Sequence, residues 1–293
     1  MKNIRMPLAI LLTALLSLTF QSFGNDVIVS TKPKANLDLR AQYPHAVLRK
    51  SLEMSMKKYG FFEIKLVERE LDNFSKMMEV HEGKHMNLTM AMTTPDWEYL
   101  NIPVRIPIRR GMANFRLLAT NEKYLDKFSQ IKTLEQLKEL SAGVVSKWGI
   151  NEILASAGIP LVETSNYDSL FKMLNKGRFD YTPRGINEAF YELNERKDTL
   201  TNIVIEPNLV LYMLQPYYIF VSPKHPRIAE RIEYGLEKMI KQGILKKMFA
   251  QHHADNLKAA NIHNRTVIKI HNKFLTKKTP INRKELWMIY DEE

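Results

Sequence analysis

Few residues of this sequence have the types and spacing that catalysis requires. His81-Glu82-Gly83-Lys84-His85 matches H-E-x-x-H, in which two histidines on one helix face bind zinc and the glutamate acts as a base. Gly83 lies between the histidines, where a helix commonly ends. Asp96 or Glu98 could serve as a general acid or base in a dehydratase or lyase, but no paired carboxylate or nucleophile with a neighbouring base accompanies them. The sequence therefore predicts no metal site, no cofactor and no catalytic residue.

Other residues suit the binding of a small molecule. Ser146-Lys147-Trp148-Gly149 precedes a helix that starts near Ile150, and the free N–H groups of a helix N-terminus attract anions. The guanidinium of Arg184 could pair with a carboxylate or phosphate. Trp97 follows a proline in a loop, where its indole could stack on a ring. Each candidate has an ordinary alternative. Residues 146–149 could be a simple turn, Arg184 a charge at a helix start, and Trp97 a packed aromatic residue.

Weaker candidates accompany these. The hydroxyl groups of Thr93 and Thr94 could donate hydrogen bonds at a strand end. The hydroxyl group of Tyr181, which follows Gly177-Arg178-Phe179-Asp180, could do the same. Arg110 and the neighbouring Arg109 could face a cleft or water. We expect ligand contacts from these residues together with Ser146, Lys147, Trp148, Trp97 and Arg184.

The elements that would position these side chains follow from hydrophobic periodicity. Strand-like runs lie at 27–30, 62–67, 87–92, 115–119, 143–146, 161–163 and 217–221. Helical runs lie at 43–59, 74–80, 133–140, 150–157, 167–174, 186–196 and 228–240. This alternation predicts an α/β fold with mainly parallel sheets flanked by helices.

One structural unit occurs twice. Lys76–Leu88 and Lys172–Tyr181 each contain a helix, a glycine followed by a basic residue, and a strand. The repeat predicts two lobes of similar construction. A ligand would then lie in the cleft between them, where strand C-termini and helix N-termini meet.

Residues 1–24 have the pattern of a signal peptide. Lys2 and Arg5 precede an apolar run at 7–20, and Ser22-Phe23-Gly24 supplies small residues for cleavage. The alternative is a membrane anchor, but this run is shorter than the roughly 20 residues of a membrane span. No cysteine follows it, which argues against a lipid anchor. We expect a monomeric protein in the periplasm that forms no disulfides.

The charge is unevenly distributed. The net charge is +11, and residues 263–284 contain seven lysines and arginines and no acid. A basic tail could bind a polyanion or serve cell-envelope adhesion. A generally basic exported protein is the simpler interpretation, and we expect no nucleic-acid partner. The tail also contains Val267, Ile268, Ile270 and Phe274, which favour docking on a lobe over a disordered arm.

Several short motifs occur in a characteristic order. They are Phe74–Leu88, Met92-Thr93-Thr94-Pro95-Asp96, Ile131–Leu137, Gly177-Arg178-Phe179-Asp180, Tyr217–Pro226 and Leu236–Phe249. Together they resemble family 3 of the periplasmic solute-binding proteins, the amino-acid type of transporter receptor, up to about residue 255. The resemblance implies a type 2 periplasmic-binding fold with two crossover strands and hinge closure around a ligand. Lobe 1 would contain residues 25–116 and 217–293, and lobe 2 residues 117–216.

Two ligand positions depart from that family. Where the resemblance places an arginine for a ligand carboxylate, this chain has Trp97. Where it places an acid for a ligand amino group, this chain has Gly185, beside Arg184. We therefore expect a small polar or anionic solute other than an ordinary amino acid, delivered to an inner-membrane permease or a sensor protein. An enzyme of the dehydratase or lyase type on the same scaffold is the alternative.

Overall fold

The computed structural model describes residues 25–32, 39–69 and 71–288, and the predicted signal peptide lies outside them. Its strands are β1 (Asp26–Thr31), β2 (Phe62–Val67), β3 (Leu88–Met92), β4 (Ile102–Val104), β5 (Phe115–Asn121), β6 (Ala142–Val145), β7 (Leu161–Thr164), β8 (Tyr181–Gly185), β9 (Ile203–Ile205), β10 (Leu209–Tyr212), β11 (Tyr217–Val221) and β12 (Thr266–Lys269). Its helices are α1 (Leu39–Tyr59), α2 (Asn73–Glu82), α3 (Pro95–Leu100), α4 (Leu125–Ser129), α5 (Leu134–Leu137), α6 (Asn151–Ser156), α7 (Tyr167–Asn175), α8 (Ile186–Asn194), α9 (Pro226–Lys241) and α10 (Ile244–Ala260). None of the described helices is long and apolar enough to cross a membrane.

The first lobe is built on two small sheets. β1 pairs in parallel with β2, and β11 lies between β3 and β4. Asn87 joins the sheets, because its Oδ1 accepts a hydrogen bond from the backbone N of Val29 and its Nδ2 donates to the carbonyl of Val27. Helices α1 and α9 approach closely at Gly235, where a Cβ would lie 1.9 Å from the carbonyl oxygen of Ser51.

The second lobe is built on one mixed sheet. Its strand order is β12-β10-β5-β8-β6-β7, with β9 also paired to β5. Every antiparallel pair among the described strands contains β5 or β11, where the chain passes from one lobe to the other. The remaining pairs are parallel. This pattern confirms the predicted α/β architecture with two crossover strands.

The lobes share buried apolar surface. The largest core cluster contains Leu52 and Leu236 from the first lobe together with Leu117, Ile186 and Ala189 from the second. Helix α10 packs against both α8 and α9, and so lies between the lobes. The lobes are therefore closed onto each other.

The segment that follows α10 departs from the predicted lobe boundaries, which gave residues 217–293 to the first lobe. β12 pairs in parallel with β10 of the second lobe, from Leu209↔Thr266 to Tyr212↔Lys269. Ile268 and Ile270 are buried in the core of that lobe. The apolar residues of the basic tail hold it against the second lobe, and their pattern predicts such docking. We call residues 266–288 the C-terminal strap.

A buried histidine on α10 couples the fold to pH. The ring of His253 lies 4.7 Å from that of Tyr43 and 5.0 Å from that of Phe249. Both ring nitrogens are buried and have no hydrogen-bond partner among the described residues. Burial lowers the pKa of His253 to about 3, and the positive charge of Arg109 acts in the same direction.

We expect the replacement His253→Phe to flatten the acid side of the stability profile. Between its usual pKa of 6.5 and about 3, His253 is protonated in the unfolded chain and neutral in the folded one. Its protonation therefore costs the folded state nothing above pH 6.5, and stability is lost as pH falls from 6.5 toward 3, by at most about 5 kcal/mol. Urea unfolding at several pH values measures this. His271→Phe, at an exposed position, is the control, and equal pH slopes in His253→Phe and wild type would contradict the assignment.

Candidate functional site

A narrow groove lies between the lobes, where the end of β3 meets the loop before α6. Thr93 and Thr94 line it from the first lobe, Gly149 and Ile153 from the second, and Gln215 from the second crossover. The cavity volume is about 20 Å³, which is enough for about one water molecule. The two threonines lie where the sequence predicts, but the expected water-filled cleft is closed.

Gln215 bridges the lobes at this groove. Its Nε2 donates to the carbonyl of Thr93 at 3.3 Å and to that of Gly149 at 3.0 Å, one on each lobe. Its backbone N donates to Oδ1 of Asn114 at 3.0 Å, which fixes it to the first crossover. Its Oε1 is buried and accepts no hydrogen bond from a described residue. A ligand donor at this oxygen would satisfy a buried acceptor.

The two threonines differ in role. Oγ1 of Thr94 accepts a hydrogen bond from the backbone N of Trp97 and so caps α3, whose N1 residue is Pro95. Oγ1 of Thr93 donates to Glu98 at 2.7 Å. The same carboxylate is paired with Arg105 at 2.7 Å. Both contacts favour the charged form of Glu98, and neither of them supplies a second carboxylate as an acid–base partner.

The structure corrects the expectation that Trp97 edges the cleft. Its side chain is 5% exposed and packs with Met77, Tyr218 and Phe220 behind the groove. The ring centroids of Trp97 and Phe220 are 4.9 Å apart. Thr94 caps the helix so that the indole points into the sheet of the first lobe. The indole of Trp97 therefore packs on a ring of this protein and not on a ring of a ligand.

Arg184 is likewise internal rather than facing a ligand. Its Nε and Nη2 donate to the two carboxylate oxygens of Glu192 at 2.6 Å each, and Nη2 lies 3.0 Å from Glu188. Burial alone would lower the pKa of Arg184, but Glu188 and Glu192 outweigh it and raise that pKa. Conversely, burial alone would raise the pKa of Glu188, but Arg184 and Arg116 lower it to about 2. The charge predicted to bind an anion is already paired.

The loop at 146–149 divides between surface and interior. Ser146 is exposed and donates to Glu163 at 2.8 Å, and Lys147 is exposed with a φ of 66°. The ring of Trp148 covers the guanidinium of Arg184, with 4.7 Å between Cζ and the ring centroid. Among the described residues of this loop, Gly149 lines the groove. Because Gly149 has no side chain, its carbonyl can approach Nε2 of Gln215.

Two further candidates also have internal roles. Tyr181 is fully buried in the second lobe, where its ring meets that of Phe128 edge-on, so it does not line the groove. Arg110 donates from Nη1 to the carbonyl of Glu285 at 2.8 Å and from Nη2 to that of Trp287 at 2.7 Å. It holds the C-terminal strap rather than a cleft ligand.

The H-E-x-x-H sequence does not lie on one helix face. Helix α2 ends at Glu82, and Gly83 caps it with a left-handed φ of 63°. Nδ1 of His81 is hydrogen-bonded to the carbonyl of Leu100 at 2.6 Å. No group of three side chains that could hold a metal ion occurs within residues 25–32, 39–69 and 71–288. The H-E-x-x-H residues therefore form the C-terminal end of α2 and the turn after it.

Sequence reasoning missed Gln215 and the strap residues Asn272 and Phe274, which also line the groove. Gln215 lies between Leu214 and Pro216 at the second crossover, and this position before β11 was a usable signal. The strap residues carry no local signal, because their groove contacts depend on the pairing of β12 with β10.

Solved structures share this architecture. No family model and no curated protein sequence matches the chain. An ancestral arginine-binding protein bound to arginine superposes with a TM-score of 0.51 at 18% identity, over 78% of this chain and 96% of that one. A histidine kinase sensor domain with similarity to periplasmic binding proteins gives 0.54 at 15%, over 78% and 95%. A chain of the glutathione-import system of Streptococcus mutans gives 0.53 at 14%, over 79% and 96%.

The chain has the fold of the periplasmic binding proteins. The resemblance read from its motifs is thus confirmed at the level of the fold. Within this periplasmic-binding fold, Gly185 is the N-cap residue of α8, and its backbone N donates to Glu188 at 3.1 Å. At the position where the resemblance puts a ligand-binding acid, this protein therefore has a glycine that is hydrogen-bonded to Glu188 of the same chain.

We expect loss of the buried ion pair to destabilise the protein. Replacing Glu192 by Gln removes the bidentate partner of the buried Arg184 guanidinium and leaves Glu188 as its remaining charged partner. The loss of one charge from a buried pair costs up to about 3–5 kcal/mol. Urea unfolding monitored by circular dichroism measures the change. The control is Glu135→Gln, whose exposed pair with Lys138 contributes about 0–1 kcal/mol. Equal losses in the two variants would contradict a buried pair.

Proposed function

We propose that this chain binds a small polar solute between its lobes and delivers it to an inner-membrane permease or a sensor protein. The observation that carries the proposal is the groove itself, where Gln215 joins Thr93 of one lobe to Gly149 of the other. Its hydrogen-bonding groups come from both lobes, so a solute there would stabilise the closed form. The predicted signal peptide favours the periplasm as its place of action.

Charge at the groove favours a neutral or positively charged solute. Its described lining contains Glu98 and Glu152 and no lysine or arginine. Arg184, the cation expected to attract an anion, is paired with Glu192 behind Trp148. An anion would therefore be desolvated without a cationic partner, which is costly. The backbone carbonyls of Thr93 and Gly149 instead accept hydrogen bonds.

Comparison with the solved structures supports capture of a solute. The similar structures include the arginine-bound ancestral protein and an ancestral amino-acid-binding protein that is a precursor of cyclohexadienyl dehydratase. The second keeps an enzyme as the alternative for this scaffold. Binding is favoured here because Glu98 is paired with Arg105 and also accepts from Thr93.

We expect a solute that binds at this groove, after the lobes have moved apart to admit it, to raise the melting temperature of the mature protein. A ligand at about 100 times its Kd adds about 2.7 kcal/mol of stability. Thermal shift against amino acids, L-arginine among them, and against small neutral polar solutes checks this. Gln215→Ala should lose the shift because it removes the bridging amide, whereas the exposed Gln251→Ala should keep it. A shift that survives in Gln215→Ala would place the solute elsewhere, and product formation from a probe would favour the enzyme.

A further inference from the structure

The C-terminal strap is fixed firmly to the second lobe at its beginning. β12 completes the sheet beside β10, and the backbone N of Ile270 donates to the carbonyl of Tyr212 at 2.8 Å. Nδ2 of Asn272 then donates to the carbonyl of Leu214, at the second crossover, at 2.9 Å. With Ile268 also buried in this lobe, the end at 266–272 has both sheet hydrogen bonds and apolar packing.

The middle of the strap lies against the groove. Asn272, Phe274, Leu275 and Thr276 line it opposite residues of both lobes. Oδ1 of Asn272 accepts from the backbone N of Phe274 at 3.0 Å, which turns the chain at this point. The strap is therefore part of the groove wall.

The far end of the strap is fixed to the first lobe by different contacts. Arg283 forms two hydrogen bonds with Glu237 of α9, at 2.6 and 3.0 Å. Trp287 packs on Gly111, where a Cβ would lie 2.8 Å from Cε3 of the indole. The carbonyl of Trp287 accepts from Arg110, and Leu286 is fully buried.

The two ends differ in strength. Both side chains of the Arg283–Glu237 pair are about two-fifths exposed, at 39% and 41%, and exposed pairs contribute little. The first-lobe end has no strand pairing among the described residues. One backbone hydrogen bond, from Met288 N to the carbonyl of Arg110, joins its side-chain contacts. The second-lobe end must break a parallel strand pair to detach. The first-lobe end is therefore the one that releases more easily.

We infer that the C-terminal strap ties the lobes together in addition to the covalent crossings of the chain, and that its first-lobe end must release before a solute can enter the groove. This regulation rests on the proposed function, because it concerns the same groove. Covalent crossings of the chain permit a hinge motion. The strap lies along the groove wall and resists that motion for as long as both its ends are held. Strap release would then set the fraction of molecules that can accept a solute, and so the apparent affinity.

The chain has no cysteine, so a single introduced thiol reports access to the groove without any solute. Ile153→Cys places a thiol on the groove wall, at a residue that is 2% exposed. Its reaction with a small maleimide follows the population of open molecules. In the strap variant Arg283→Ala/Trp287→Ala we expect the rate to rise about tenfold or more, because release raises the open fraction.

Two controls separate opening from general loosening. Leu154→Cys is fully buried in the second-lobe core next to the groove residue, and its rate should stay unchanged in the strap variant. Lys277→Ala/Lys284→Ala, at exposed strap positions, should leave the Ile153→Cys rate as in wild type. An unchanged Ile153→Cys rate in the strap variant overturns the inference, and so does an equal rise at Leu154→Cys.

The thiol measurement also separates this inference from the proposed function. If the rate rises at Ile153→Cys alone and no probe solute stabilises the protein, the strap gates the groove and the solute proposal fails. If L-arginine or another probe stabilises the protein and the strap variant leaves both the rate and the affinity unchanged, the solute proposal stands and the strap inference fails.

Discussion

The closed arrangement of the lobes depends on polar groups that satisfy each other across the interface. Gln215 donates to a carbonyl on each lobe, and its backbone N is fixed by Asn114 of the other crossover. Without that amide, the carbonyls of Thr93 and Gly149 would lose a partner in a groove that holds about one water molecule. These hydrogen bonds hold the two sides of the groove together, and a solute that entered between Thr93 and Gly149 would have to replace them.

The same constraint explains the buried charges beside the groove. Arg116 and Arg184 are both buried, and so is the carboxylate of Glu192 that meets Arg184. Burial lowers the pKa of Arg116, although Glu188 opposes this. Such a cluster contributes little net stability compared with apolar packing, but breaking any one pair is costly. It fixes the start of α8 against β5 and so sets the geometry of the crossover.

Local patterns predicted the elements well. β2 and β11 have the predicted bounds, because alternating or continuous apolar runs end at polar or proline-containing segments. Gly83 and Gly177, the turns of the repeated unit, both have left-handed φ values, 63° and 67°. Thr133 and Gln136 form a capping box at the start of α5. These features depend on residues close in sequence, which is why the sequence alone identified them.

The site was predicted less well because its geometry depends on distant partners. The direction of Trp97 is set by Phe220, which reaches it only through the pairing of β3 with β11. Arg184 and Glu192 are eight residues apart, so their pairing was within reach of sequence reasoning, but it needed the turn from β8 into α8. Thr93 and Thr94 line the groove because they follow the end of β3, but their contact with a ligand stays a prediction.

The strap changes what the fold requires of a solute. In a two-hinge protein, the binding energy of the solute has to offset only the cost of closing the lobes. Here the hydrogen bonds of Gln215 and the contacts of the strap also have to be broken for the lobes to separate. Oε1 of Gln215 is a buried acceptor without a donor among the described residues, so a donor on the proposed solute would satisfy it. A solute with such a donor agrees with a groove whose charged lining residues are acidic.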